Sequence, residues 1–178
     1  MTIEKLVAAI RLDLANNNNY AALVLSLVLP DICGKLEYPT FKSKKRFELW
    51  FDTYLKKYNE ILIGNTNVVF MTSLDFYALR CSILHEASED LANQQASDIL
   101  DKVKFTTMSS HRNKIGKILQ LNVKCFCEEI CNEVENWLND ISTNEEVVER
   151  IKLLIKIEDS TFRPTHDTEF GDNYLRKL

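Results

Sequence analysis

Glycine and proline are scarce in this chain, and this scarcity restricts its fold more than any other feature of the sequence. The 178 residues include only 4 Gly and 3 Pro. An all-β protein needs many tight turns, which depend on these two residues. We therefore expect helices joined by few connections. Glycine-rich phosphate loops are excluded as well, because neither GxxxxGK[ST] nor GxGxxG occurs.

Apolar residues recur at helical spacing through most of the chain, which predicts a mostly α fold. We expect one domain over residues 1–158, a helical bundle of five or six helices. A polar tail follows at residues 159–178. The expected helices begin near residues 2, 20, 43, 73, 123 and 144, and the third carries an aromatic stripe formed by Phe47, Trp50, Phe51, Tyr54 and Tyr58.

The second predicted helix is apolar on most sides, which is typical of a helix in the middle of a bundle. Its apolar run covers residues 21–29 and ends at Pro30. A helix needs roughly 20 apolar residues to span a bilayer. The run is too short for that, so we expect a core helix and no membrane contact. Pro30 should kink or divide the helix.

One region departs from helical spacing. Residues 103–107 and 117–121 partly alternate between apolar and polar side chains, and a basic polar stretch at 109–114 separates them. Alternation is the pattern of a half-buried strand. We expect a small β-hairpin around 103–121, inserted in the bundle at 98–122.

Charge and cysteine content restrict the partners and the compartment. The net charge is −4, so the chain as a whole does not attract nucleic acid, and any RNA contact would be local. The 5 cysteines are an odd number. We expect no signal peptide before them, because residues 1–5 lead into an amphipathic pattern instead of an apolar core. Reduced thiols in a cytoplasmic protein are expected.

No metal site or cofactor is predicted. Cys127 and Cys131 share a helical face, but Cys125 points away from them, and no second ligand cluster is present. A zinc site needs four ligands. Buried core thiols explain the three cysteines better.

The residues with the clearest chemical potential are Arg80 and His85, at the end of the fourth predicted helix. Arginine is a fixed cation that can hold a phosphate, and histidine can move a proton near neutral pH. Five positions along an α-helix rotate the side-chain direction by about 500°, so the two side chains point roughly 140° apart. They can share a site only at a helix end or across a dimer.

Arg80 also has a structural explanation. It follows apolar residues in a predicted core helix, and a buried unpaired charge is costly. Asp31 or Glu37 could supply its partner, while His85 would be a histidine near a helix C-terminus, where a cation is favoured. Cys81 and His85 share a helical face as well, but no third residue that could orient a Cys/His pair is apparent.

A compact basic cluster precedes the aromatic stripe. It consists of Lys42, Lys44, Lys45 and Arg46. With the aromatic residues that follow, it could bind RNA phosphates and bases. The alternative is a solvated helix start whose aromatic side chains face the core.

The Arg80–His85 segment, an arginine and a histidine separated by four residues near the end of a core helix, resembles the signature of the HEPN superfamily. Members are small helical-bundle proteins, many of them metal-independent ribonucleases of prokaryotic toxin and phage-defence systems. The surrounding segments at 31–39, 45–51 and 77–86 also look like parts of bacterial helical proteins. Active members usually carry a polar residue directly after the arginine, whereas this chain has Cys81.

The resemblance implies a homodimer in which both Arg/His pairs line one cleft. Arg80 would hold the scissile phosphate. His85 would act as general base or acid, or orient the attacking ribose 2′-OH, and the product would be a 2′,3′-cyclic phosphate. A cognate antitoxin or another partner protein would accompany such a toxin.

Two hypotheses of different classes therefore stand. The first is a HEPN-like endoribonuclease acting on RNA as a dimer. The second is a non-catalytic helical interaction module, an adaptor or antitoxin-like protein, with Arg80 in a structural ion pair. An inactive HEPN fold lies between the two.

Overall fold

The computed structural model describes residues 2–92, 94 and 96–157, and it has a mostly α fold. The predicted polar tail at 159–178 lies outside the described residues. The described part contains seven α-helices: α1 (Thr2–Ala15), α2 (Asn19–Glu37), α3 (Ser43–Tyr54), α4 (Lys56–Asn59), α5 (Ser73–Glu86), α6 (Val123–Asp140) and α7 (Glu145–Lys152). It also contains five strands: β1 (Glu60–Ile63), β2 (Thr66–Val69), β3 (Lys102–Thr106), β4 (Asn113–Ile115) and β5 (Ile118–Asn122).

Helix α2 is central to the helical part. It packs against α1, α3 and α6, and its buried side chains include Leu23, Leu27 and Leu29. By length and composition α2 could cross a membrane, but half of its most apolar window is buried inside the protein. Its buried side chains and its contacts with three other helices place it in the core. The helix continues through Pro30, so the expected division does not occur.

The aromatic stripe of α3 forms much of the core, as its spacing predicts. Phe47, Trp50, Phe51 and Tyr54 are all buried. Phe47 and Phe51 lie 5.2 and 5.3 Å from the ring of Phe76 on α5. Aromatic rings at such separations add packing energy to the area that they bury. The third predicted helix ends at Tyr54, and the short α4 follows it.

Helix α5 begins at Ser73, as expected, and its N-terminus is closed by a capping box formed by Thr72 and Asp75. The Asp75 carboxylate is fully buried. Its Oδ2 accepts the Thr72 N–H, while Oδ1 accepts the main-chain N–H groups of residues 98, 99 and 100 at 2.8 to 3.1 Å. One side chain therefore fixes both the start of α5 and the segment that leads into β3.

The predicted single hairpin around 103–121 is wrong in its pairing. Three strands form this sheet in the order β3–β5–β4, with β3 parallel and β4 antiparallel to β5. Only β4 and β5 make a hairpin. Alternation identifies residues that lie in strands, but it does not specify which strand pairs with which, or in what direction.

A second, unexpected hairpin joins β1 to β2, with Ile63 opposite Thr66. Residues 61–63 of β1 are all apolar and all exposed, so no alternation of apolar and polar side chains marks this strand in the sequence. A two-residue turn of Gly64 and Asn65 connects the strands, and Gly64 has φ +60°. Glycine reaches this left-handed region without the strain that a Cβ would cause.

Candidate functional site

Helix α5 carries the two residues singled out by the sequence. Arg80 lies in its middle, and His85 lies in its last turn. The helix ends at Ala87, whose φ of 51° is left-handed, and the Ala87 N–H donates to the Ile83 carbonyl. The histidine therefore sits beside the helix C-terminus, where partial negative charge collects.

Arg80 is paired with Asp31 on α2. Its Nη2 donates to Oδ2 of Asp31 at 2.9 Å. The side chains are only 17% and 16% exposed. In this environment the ion pair is screened less than a surface pair would be.

A second guanidinium shares the same carboxylate. Nη2 of Arg46 lies 3.2 Å from Oδ1 of Asp31, and the Ser43 hydroxyl donates to that oxygen at 3.1 Å. We call Asp31, Ser43, Arg46 and Arg80 the arginine cluster. Two guanidinium charges face one carboxylate charge, so the cluster carries one surplus positive charge.

The arginine cluster is also incompletely hydrogen-bonded. The Nε atoms of Arg46 and Arg80 are buried and have no hydrogen-bond partner among the described residues. A buried donor without a partner costs about 1–3 kcal/mol. The cluster thus combines a surplus charge with unused donors.

Gly34 explains how these side chains come together. A Cβ at Gly34 would lie 2.9 Å from the main-chain oxygen of Arg46, which is closer than real side chains approach. Helix α2 can therefore touch the start of α3 only because residue 34 has no side chain. Asp31 is one turn earlier on α2 and meets Arg46 at this crossing.

Glu37, the other partner considered for Arg80, binds elsewhere. Its Oε2 accepts the indole N–H of Trp137 on α6 at 2.9 Å. Asp31 and Glu37 are six positions apart on α2, so their side-chain directions differ by about 120°. Only Asp31 faces α5.

Cys81 and Tyr77 border the arginine cluster on α5. Burial raises the pKa of Tyr77, and its hydrogen bond with Cys81 acts in the same direction. The thiol thus contacts the tyrosine one turn earlier, and Cys81 is only partly exposed.

His85 is exposed. Within the described part of the chain it has no hydrogen bond and no ion pair. The rotation of about 140° between positions 80 and 85 directs it away from Asp31. One copy of the chain therefore does not bring His85 into the arginine cluster.

The predicted basic cluster is split by the structure. Arg46 turns inward to Asp31, whereas Lys42, Lys44 and Lys45 are exposed. The Nζ atoms of Lys44 and Lys45 each lie 4.0 Å from Glu48, at the limit of an ion pair. The three lysines form a solvated basic surface next to the arginine cluster.

Sequence reasoning missed a second polar cluster, between α6 and the loop before β4. Glu129 accepts a bidentate pair of hydrogen bonds from Arg112, one of them at 2.6 Å, and Nε2 of His111 lies 3.4 Å from its Oε1. We call Glu129, His111 and Arg112 the histidine cluster. Burial alone would raise the pKa of Glu129, but the contacts with Arg112 and His111 outweigh it and lower that pKa.

One nitrogen of the His111 ring has a hydrogen-bond partner, whereas Nε2 is buried and has none among the described residues. The Asn122 N–H donates to Nδ1 at 3.0 Å, so the ring hydrogen of the neutral form is on Nε2, facing Glu129. No lone pair is left to accept a proton from a substrate. The cluster joins the loop before β4 to the start of α6, and its chemistry is structural.

The region next to the histidine cluster extends the same network. The Tyr58 ring lies 5.7 Å from the Arg112 guanidinium, and its hydroxyl donates to Glu133 at 2.6 Å. Lys57 donates to the same carboxylate at 2.8 Å. Burial is the main cause that raises the pKa of Tyr58 well above its usual value, and the hydrogen bond to Glu133 is the second cause.

Among the described residues no group of three or more His, Cys, Asp or Glu side chains could hold a metal ion. All five cysteines are free, and Cys33, Cys127 and Cys131 are buried. The expectation of a buried core thiol is wrong for Cys125, which is exposed. Burial raises the pKa of Cys127 to about 11 and that of Cys131 to about 12. At neutral pH these thiols are protonated core residues.

Comparison with known proteins gives no relative for this fold and site. No protein-family model, no curated protein and no solved structure matches the chain.

Proposed function

We propose that this protein is a HEPN-like helical bundle that works in the cytoplasm as a non-catalytic interaction module, an adaptor or antitoxin-like protein. The observation that carries the proposal is the 2.9 Å bond between Arg80 and Asp31. An arginine that holds a substrate phosphate has to offer its donors to the solvent before the substrate arrives. Arg80 is mostly buried, and its charge is already engaged.

The structural role of Arg80 follows from its neighbours. Arg80 on α5 and Arg46 on α3 both bind Asp31 on α2, so the arginine cluster links three helices through one carboxylate. Buried polar groups of this kind favour one arrangement of helices over others, because any other packing leaves charges unpaired.

Endoribonuclease activity is the second candidate, and a specific observation favours it. His85 is exposed, and the arginine cluster beside the exposed Lys42, Lys44 and Lys45 has surplus positive charge. Such a surface attracts phosphate. Catalysis would require a homodimer, in which a second copy brings its His85 to the RNA held near Arg80.

The two candidates differ in what Arg80→Ala and His85→Ala do. Wild type and both variants are expressed, total RNA is checked for cleavage, and unfolding is followed in urea. For an interaction module we expect no cleavage by any of them. Arg80→Ala should lower the free energy of unfolding by about 2 kcal/mol, the value of a hydrogen bond to a charged group. His85→Ala should leave stability unchanged.

Arg46→Ala is the matched control, because it removes the other guanidinium of the same carboxylate and leaves the Arg80–His85 pair intact. A structural cluster predicts similar losses for Arg46→Ala and Arg80→Ala. The proposal is wrong if wild type and Arg46→Ala cleave RNA, while Arg80→Ala and His85→Ala are both folded and inactive.

A further inference from the structure

Two similar hairpins stand side by side in this protein. The first is β1–β2, and the second is β4–β5. Each has a two-residue turn that begins with glycine, Gly64 at φ +60° and Gly116 at φ +57°, as type II′ turns require. The residues before these glycines, Ile63 and Ile115, are 60% and 80% exposed.

An open cleft of about 750 Å³ separates β2 of the first hairpin from β4 of the second. This volume is within the range of ordinary ligand sites. We call it the edge cleft. Its lining residues are Val68, Phe70, Arg112, Asn113, Lys114, Ile115, Gly116 and Gln120.

The strands on both sides of the edge cleft carry main-chain groups directed away from their own hairpin partners. The pair that closes a two-residue turn is hydrogen-bonded, and bonded and non-bonded pairs then alternate. Asn67, Val69 and Lys114 are therefore at positions where the N–H and C=O point away from the hairpin partner. The Val69 carbonyl confirms this direction, because it accepts a bond from Nζ of Lys114 at 2.9 Å across the cleft.

The two edges lie farther apart than neighbouring strands of a sheet. Adjacent strands are about 4.8 Å apart and exchange main-chain bonds directly. Here a four-carbon lysine side chain is needed to join β4 to β2, and no main-chain bond joins these two strands among the described residues. The edge cleft of about 750 Å³ lies in this gap.

We propose that the edge cleft binds an extended segment of a partner protein, rich in apolar and acidic residues, as a strand between β2 and β4. Adding a strand to an exposed sheet edge is a general mode of peptide recognition. The inference rests on the proposed function, an interaction module, and names the chemistry of its partner.

The positive charge in the edge cleft favours acidic residues in the bound segment. No carboxylate lines the cleft in the described part of the chain, and Lys114 bonds to a neutral carbonyl. Arg112 is already neutralised by Glu129, which leaves the Lys114 ammonium as the uncompensated charge. A carboxylate on the added strand would pair with it.

Backbone chemistry favours a peptide over RNA. The edges of β2 and β4 offer carbonyl acceptors as well as N–H donors. A peptide strand satisfies both kinds of group, whereas phosphate oxygens accept hydrogen bonds but do not donate them.

The test uses the full chain and a fluorescent, acetylated octapeptide of alternating valine and glutamate, with binding measured by fluorescence anisotropy. Three further probes are compared: a valine–lysine peptide, the valine–glutamate peptide with N-methylated main-chain nitrogens, and an oligouridylate. We expect saturable binding of the valine–glutamate peptide and at least about tenfold weaker binding of the other three, equivalent to about 1.4 kcal/mol.

Two proline variants form a matched pair. Asn67 and Leu62 are directly opposite each other in the first hairpin, and both have outward-directed N–H groups, on opposite edges. Proline is tolerated at such edge positions and removes the N–H. Asn67→Pro should weaken peptide binding about tenfold, whereas Leu62→Pro, away from the cleft, should leave it unchanged.

Lys114→Glu tests the charge without a proline in the hairpin. It should reverse the preference, so that the valine–glutamate peptide binds more weakly and the valine–lysine peptide binds more tightly. The proposal is overturned if the valine–glutamate peptide does not bind, if Asn67→Pro and Leu62→Pro weaken it equally, or if only the oligouridylate binds. RNA cleavage that depends on Arg80 and His85, together with intact peptide binding, would refute the proposed function and leave this inference standing.

Discussion

The arginine cluster and the histidine cluster both join separate elements through one carboxylate, but they differ in charge balance. Each places one carboxylate, Asp31 or Glu129, among buried donors that join separate elements. Asp31 faces two fixed cations. Glu129 faces one fixed cation and an imidazole whose other nitrogen already accepts the Asn122 N–H. The first cluster therefore has surplus charge, and the second is balanced.

This difference shows which carboxylate the fold depends on more. Loss of Asp31 would leave two guanidinium groups facing each other with no negative charge between them. Loss of Glu129 would leave a single arginine, which can still lie against the Tyr58 ring. The balance of charges, more than the number of hydrogen bonds, sets the cost of removing each acid.

The largest effect is expected from Asp31→Ala. It should lower the free energy of unfolding by about 4 kcal/mol, the cost of breaking a buried ion pair on one side. Urea unfolding measures the loss. Adding Arg46→Met removes the surplus cation, so the double variant should be more stable than Asp31→Ala alone. If it is less stable, charge repulsion does not explain the cost.

A smaller loss, about 3 kcal/mol at neutral pH, is expected from Glu129→Gln. Because the folded protein lowers the pKa of Glu129 from its ordinary value of 4.5, this carboxylate stabilises the fold above that pH. The stabilisation is lost as the pH falls through the lowered value. The stability difference between wild type and Glu129→Gln should therefore shrink below about pH 4.5.

Glu146→Gln serves as the control for this pH profile. Glu146 is 85% exposed and lies 3.7 Å from Arg150, so the ion pair is mostly solvated. Its replacement should leave both the stability and the profile unchanged. A similar acid-dependent loss in both variants would show that the profile reports the total charge instead of the histidine cluster.

The smallest effect is expected at His111. In His111→Asn the amide oxygen can take the place of Nδ1 and accept the Asn122 N–H, so the loss should be below about 1 kcal/mol. His111→Ala leaves that N–H without its partner and should cost about 2 kcal/mol. Equal losses in the two variants would show that the contact with Glu129 matters more than the bond to Asn122.

The helices were predictable because their apolar spacing is regular, and the aromatic stripe of α3 packs where its sequence places it. The strands were harder. In β1 the side chains of Ile61, Leu62 and Ile63 are all exposed, so no alternation marks the strand. The parallel pairing of β3 with β5 depends on the intervening chain, which periodicity does not describe.

The two polar clusters also differ in how far the sequence predicts their contacts. A charged residue after apolar neighbours in a core helix needs a partner, and that reasoning placed Asp31 among the candidates for Arg80. His111 and Arg112 meet Glu129 only because the chain turns sharply at Arg112, which has a left-handed φ of 58°. Nothing in a basic polar loop predicts that turn. The loop was recognisable by its composition, but its contact with α6 was not.

The buried Asp75 carboxylate has a consequence for how two regions of the protein share their stability. Its two oxygens hold the first turn of α5 and the amides of residues 98–100 at once, so the segment between them forms a closed loop fastened at its base. The strand β3 follows directly from that base. Opening of the first turn of α5 would therefore also release the segment that leads into the sheet, so the stabilities of the helical and β regions are coupled.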